Sequence, residues 1–241
     1  MVTPFDGVAR GQFVLSELSQ DDYKIMNREL NIEQGVDFLW DGPLDSPYVI
    51  VLTHGAGQPM DAAFMETMAT ALSEAGLRVG RFEFPYMARR RTTGKKAGPD
   101  RLAVLCETWR QAVDGIDRTR LIVGGKSMGG RIASMIADEI SAAGLVCLGY
   151  PFHPPGKPEK LRTEHLVNLR TPSLFCQGER DAFGSRGDVA GYNLSPAIRL
   201  EWLGDGDHSF KPCKRSGRNL EQNLTQAATA VSDFIYSLGA S

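Results

Sequence analysis

From residue 48 to its end, the chain alternates short apolar runs with stretches of helical length. The runs cover 48–53 (YVIVLT), 77–84 (LRVGRFEF), 120–123 (RLIV), 145–150 (LVCLGY), 173–177 (SLFCQ) and 198–203 (IRLEWL). They are too short for helices and largely lack polar alternation, so they read as strands covered on both faces. Between the first four lie 61–75, 99–116 and 128–143, each long enough for a crossover helix, and 220–238 reads as the last helix. Parallel strands need such crossovers, which are right-handed. The pattern therefore predicts an α/β fold with a doubly wound, mostly parallel sheet. Residues 30–40 should add one or two strands, parallel or antiparallel, at one edge. Residues 1–25 are polar and carry no clear signal; a poorly ordered arm is favoured over a partner-contacting extension. The expected organisation is an arm over 1–29 and one domain over 30–241.

Open parallel sheets bind ligands at the carboxyl ends of their strands. There the sequence places Gly125-Lys126-Ser127-Met128-Gly129, a match to G-x-S-x-G. A serine on a sharp strand-to-helix turn has a strained backbone, and small residues two positions either side let the chain reverse. The pattern arises by chance in about one chain in ten of this length, so its setting has to carry the argument. Leu121-Ile122-Val123 precedes it and an Ala/Ile/Met-rich stretch follows. Gly-Lys-Ser also closes phosphate-binding loops, but that motif needs a glycine where Arg120 stands. Ser127 is thus the candidate nucleophile.

A serine hydroxyl needs a base. Of the four histidines, His208 lies in the turn-rich Gly204–Phe210 loop after the last apolar run, where such a base belongs. His54 reads as structural. His153, among Pro151, Pro154 and Pro155, is a candidate substrate contact on a rigid rim. The acid that orients His208 should follow the run at 173–177, and Asp181 is the choice over Glu179 and Asp188; Asp205 and Asp207 read as turn formers. Backbone amides of Met128 and of Ala56, in His54-Gly55-Ala56-Gly57, are the candidate oxyanion donors.

The chain has 27 basic and 29 acidic residues. This balance argues against a nucleic-acid partner. No apolar run is long enough for a membrane span, and the first residues lack a signal-peptide layout. Cys106, Cys147, Cys176 and Cys213 are scattered, which suggests a reducing, cytoplasmic setting. Neither metal nor cofactor is expected, the oligomeric state is unreadable, and the expected partner is a small-molecule substrate. The stretch 151–172 has room for one short helix over 159–169 but not for a large cap. Residues 87–101 carry Arg89, Arg90, Arg91, Lys95, Lys96 and Arg101 against Asp100. That segment is read as a solvated loop or as an anion-binding one, with Arg90 and Arg91 as candidate contacts; Lys126 either adds charge at the same mouth or points away.

With the elbow, the His54-Gly55-Ala56-Gly57 loop, Phe84-Pro85-Tyr86-Met87 and Gly149–Gly156 in view, the chain resembles a family of small bacterial α/β-hydrolases. These are related to the hydrolase-like region of the animal non-specific-lethal complex subunit; more loosely the chain is similar to dienelactone hydrolases. The resemblance implies an α/β-hydrolase fold with Ser127, Asp181 and His208 in the triad positions. It implies little about substrate, since some members serve as assembly parts. Dienelactone hydrolases carry cysteine at the elbow, where this chain has Ser127. Two functions compete: a metal-free serine hydrolase of an ester or thioester, and a non-catalytic protein of the same fold that binds a partner.

Overall fold

The structure, a computed structural model, describes residues 35–240. The expected arm at 1–29 and the start of the 30–40 segment lie outside the described residues. The strands are β1 (Phe38–Asp41), β2 (Val49–Thr53), β3 (Arg78–Phe82), β4 (Leu121–Lys126), β5 (Gly144–Leu148), β6 (Ser173–Gly178) and β7 (Ile198–Leu203). The helices are α1 (Ala63–Glu74), α2 (Pro85–Thr93), α3 (Leu102–Ala112), α4 (Met128–Ile136), α5 (Arg186–Val189) and α6 (Leu220–Ser237). Among the described residues, all seven strands join one sheet in the order β1-β3-β2-β4-β5-β6-β7, with only the β1–β3 pair antiparallel. The mostly parallel, doubly wound sheet predicted from the sequence is present, without a large cap.

Strand pleating divides the apolar runs between two cores. Ile50, Leu52, Ile122, Val146 and Leu148 pack with Met65, Met68 and Leu72 of α1 and Val231 and Ile235 of α6. Val51, Leu121, Val123, Leu145 and Cys147 face the other way, onto Leu105 and Trp109 of α3 and Ile132 and Ile136 of α4. Full burial of each such aliphatic side chain contributes about 1.5–3 kcal/mol, so the sheet is held on both faces. The chain runs from β2 out to β3, returns across β2 to β4, then continues in the opposite direction to β7. β2 and β4 are therefore neighbours whose following segments leave toward opposite faces, and a crevice opens beyond Thr53 and Lys126.

Several boundaries differ from the sequence expectation. β4 runs on through Gly124 and Gly125 to Lys126, although glycine is a poor strand former. A Cβ on Gly124 would collide with the Val146 carbonyl, so close approach to β5 demands glycine here. The helix expected over 128–143 stops at Ile136. Just past it, the Asp138 carboxylate accepts from the Thr171 amide and hydroxyl at 2.8 and 2.7 Å, and Ser141 takes the left-handed region at φ 55°. The basic segment 87–101 is not wholly loop, because Pro85 fixes the first turn of α2 and Gly94, at φ 67°, ends it. Asp100 folds the remainder back by accepting from the Tyr86 amide at 2.7 Å and pairing with Arg89. The helix expected at 159–169 is one 3₁₀ turn, Glu164–Leu166. Upstream of that turn, the Arg162 carbonyl accepts from the Tyr150 hydroxyl and its amide donates to the Phe152 carbonyl, both at 2.8 Å, which pins the segment to the end of β5.

Candidate active site

The elbow is shaped by steric exclusion. Ser127 sits between β4 and α4 at φ 52°, ψ −115°, a backbone region that L-residues rarely adopt. Its amide donates to Leu148 of β5 at 3.0 Å. A Cβ on Gly125 or Gly129 would collide with the Thr53 carbonyl, and one on Gly130 would lie 2.7 Å from the Gly125 carbonyl. Only glycine at these positions lets α4 leave so close to β2.

His208 meets the serine from the loop after β7. Its Nε2 lies 2.9 Å from Ser127 Oγ, and its Nδ1 lies 2.8 Å from Asp181 Oδ2. Asp181 is fully buried. A carboxylate at Nδ1 holds the ring proton there and leaves the Nε2 lone pair to accept from the serine hydroxyl. The other acids have structural partners instead. Glu179 pairs with Arg186 at 2.7 Å, and Asp188 caps α5 through Ser185. Asp205 accepts from the Cys213 amide and pairs with Arg180, while Asp207 accepts from the Ser209 and Lys211 amides.

The loop after β2 lies against the elbow: a Cβ on Gly55 would sit 3.6 Å from Ser127 Cβ. Buried His54 fastens this loop, with Nδ1 2.7 Å from the Gly55 carbonyl and Nε2 accepting from the Phe84 amide at 3.2 Å. Burial lowers its pKa, so the ring stays neutral and structural. Tyr86 Oη donates to the Ala56 carbonyl at 3.1 Å. Ala56 itself is exposed beside the crevice. Met128 opens α4, so its amide has no acceptor within the helix.

The candidate substrate contacts fare differently. Arg91 is held by Asp61 through two 2.8 Å bonds and by Glu83 at 2.6 Å. Its charge is already balanced. Arg90 lines a cleft of about 390 Å³ with Pro59, Met87, Arg91, Lys95 and Lys96. Among the described residues, no carboxylate lies within salt-bridge distance of Arg90, Lys95 or Lys96. His153 is only 4% exposed; its Nδ1 lies 2.9 Å from the Pro154 carbonyl and its Nε2 3.8 Å from Asp188. That ring is buried, and its Nε2 has no hydrogen-bond partner among the described residues. Lys126 points away from the mouth, and its Nζ donates to the His208 carbonyl at 2.6 Å.

Sequence reading missed the residues that stand behind Asp181 and His208. Gln177 Nε2 donates to Asp181 Oδ2 at 2.9 Å, and its Oε1 accepts from the Tyr150 amide at 2.7 Å. Phe183 lies against His208 with ring centroids 4.2 Å apart. Buried Asn223 of α6 donates to the Gly204 and Phe210 carbonyls, tying down both ends of the histidine loop. The one available signal was Gln177 itself, a polar residue closing an otherwise apolar run.

Comparison with known proteins places this architecture. A family model described as alpha/beta hydrolase domain matches residues 46–236. The chain belongs to that alpha/beta hydrolase family. Among solved structures, this alpha/beta hydrolase is similar to XC6422 from Xanthomonas campestris, described as an α/β serine hydrolase without a lid. That match has 20% identity and a TM-score of 0.58, covering 84% of this chain and 88% of the other. Est1E from Butyrivibrio proteoclasticus matches with 13% identity and a TM-score of 0.63, over 86% and 95%. Dienelactone hydrolase from Anabaena variabilis matches with 19% identity and a TM-score of 0.62, over 84% and 91%. At these identities the likeness concerns the fold. Among the described residues, no helix is long and apolar enough to cross a membrane, and no group of three or more His, Cys, Asp or Glu could hold a metal ion.

Proposed function

We propose that this protein is a carboxylesterase-like serine hydrolase acting on an ester or thioester of a small molecule. The observation that carries the reading is the unbroken hydrogen-bond chain Ser127–His208–Asp181, at 2.9 and 2.8 Å, at the carboxyl ends of the strands. In this reading Ser127 Oγ attacks the carbonyl carbon as His208 Nε2 takes its proton. The buried carboxylate of Asp181 stabilises the imidazolium. The amides of Met128 and Ala56 receive the oxyanion, a role in which one donor is worth about 10²–10³ in rate. His208 then returns the proton to the departing oxygen or sulfur, and water, activated by the same histidine, releases the acyl group.

The acyl or leaving group is expected to carry negative charge. Support comes from the cleft beside Pro59, where Arg90, Lys95 and Lys96 stand without carboxylate partners among the described residues. Arg91 enters only as a strut that positions Asp61 and Glu83. The four cysteines are all free, in keeping with a cytoplasmic protein. The competing reading, a partner-binding protein of this fold, rests on the resemblance to a family with assembly parts, and the intact Ser127–His208 hydrogen bond weighs against it.

Fluorophosphonate labelling of wild type and Ser127→Ala, with p-nitrophenyl acetate turnover alongside, tests the reading. Labelling and turnover are expected in wild type and should vanish in the variant. A folded wild type that neither labels nor turns over ester would overturn the enzyme reading in favour of partner binding.

A further inference from the structure

We infer that Lys126 is a positioning residue: its ammonium group, donating to the main-chain carbonyl of His208, fixes the loop that presents the histidine to Ser127. The effect on rate rests on the serine-hydrolase reading; the effect on the loop does not.

The geometry is specific to this side chain. Lys126 ends β4, one residue before the nucleophile, and its Nζ lies 2.6 Å from the His208 carbonyl oxygen. The ammonium sits 5.4 Å from the Phe64 ring centroid and 5.9 Å from that of Phe210, so α1 and the histidine loop enclose it with aromatic faces. A Cβ on Gly149, at the end of β5, would lie 2.8 Å from Nζ and 3.0 Å from the His208 carbonyl. Gly149 therefore leaves the space in which lysine and histidine loop meet. The stem also passes beneath the oxyanion loop, where a Cβ on Gly55 would be 3.7 Å from Lys126 Cγ. One side chain thus underlies the nucleophile strand, the oxyanion loop and the histidine loop.

Burying an ammonium costs desolvation free energy, which the hydrogen bond to the His208 carbonyl and the two aromatic faces offset in part. Among the described residues no carboxylate lies within salt-bridge distance of Nζ; Asp181 and Asp207 act on it from further away. Burial pushes the amine down to about 8 despite those two charges. Loss of its proton leaves a weaker, uncharged donor. The titratable groups around it are Asp181, Asp207 and His208, so an alkaline limb near pH 8 would report the lysine.

The test compares wild type with Lys126→Met by hydrogen exchange of the 204–210 amides and by fluorophosphonate labelling rate against pH. Expected are roughly tenfold or greater loss of protection in the loop and labelling about 10–100-fold slower, consistent with a catalytic group held out of register. Wild-type labelling should fall above pH 8, while the variant's residual rate should stay flat there. Unchanged loop protection in folded Lys126→Met overturns the inference. Should the variant not fold, equal wild-type protection factors at pH 7 and pH 9.5 overturn it instead. A wild type that does not label, together with a loop that loosens in the variant, removes the esterase reading and supports the clamp.

Discussion

At the scale of single residues, the site depends on a buried carboxylate with three hydrogen-bond partners. Asp181 accepts from Gln177 and from the Phe183 amide while holding His208. An amide in its place would present the wrong partner to the imidazole. Asp181→Asn should lower the labelling rate by about 10³–10⁴-fold in a protein that still folds, by the reasoning that applies to serine triads generally; circular dichroism alongside the rate separates the two effects. A different histidine is expected to contribute to acid sensitivity. His165 Nε2 lies 2.8 Å from Ser134 Oγ, and burial, with Arg131 nearby, pushes its pKa down to about 4. The unfolded ring titrates near 6.5, so between pH 6.5 and 4 the unfolded chain binds more protons and stability falls as pH falls. Wild type should therefore lose more Tm than His165→Gln on going from pH 7 to pH 4; parallel losses would remove this residue from the account.

Among elements, the elbow is the most constrained. Gly125, Gly129 and Gly130 each stand where a methyl group would strike backbone of β2 or of the elbow itself. Backbone cannot yield as a flexible side chain can, and overpacking typically costs about 1–3 kcal/mol or more. Gly129→Ala is expected to lower the unfolding free energy read from urea titration by an amount in or above that range and to abolish labelling, since α4 would be pushed off Thr53. An unchanged unfolding free energy would mean that the strand and helix separate readily. The motif G-x-S-x-G was legible in the sequence because this steric demand leaves so few residue choices. The helical start of the basic segment was less legible: its arginines resemble a solvated run, and the fold-back in which the Asp100 carboxylate accepts from the Tyr86 amide joins residues fourteen apart.

For the molecule as a whole, charge is balanced overall but unevenly used. Arg81, Arg91, Arg110 and Arg186 have carboxylate partners, whereas Arg90, Lys95 and Lys96 face a cleft. Replacing those three by glutamine should raise KM for anionic esters by about tenfold, equivalent to ~1.4 kcal/mol, and leave kcat/KM for neutral esters unchanged. Equal effects on both classes, or none on either, would identify the patch as a solvated surface. The anionic preference should also weaken with added salt, because exposed charges are screened within about 10 Å at 0.1 M.

The sequence determined the sheet, its two-sided burial and three residues that the fold brings within hydrogen-bond reach, because strand spacing, glycine sterics and strand-end placement are local and leave visible patterns. Tertiary structure decided which cations remain available and what stands behind Asp181 and His208. Arg90 and Arg91 are adjacent and chemically alike, yet only Arg91 meets Asp61 and Glu83. Gln177, Asn223 and Lys126 act through partners 4 to 82 residues away. No local pattern encodes those meetings; they follow from how the strands are ordered in the sheet, which brings the ends of β2, β4, β5, β6 and β7 around one crevice.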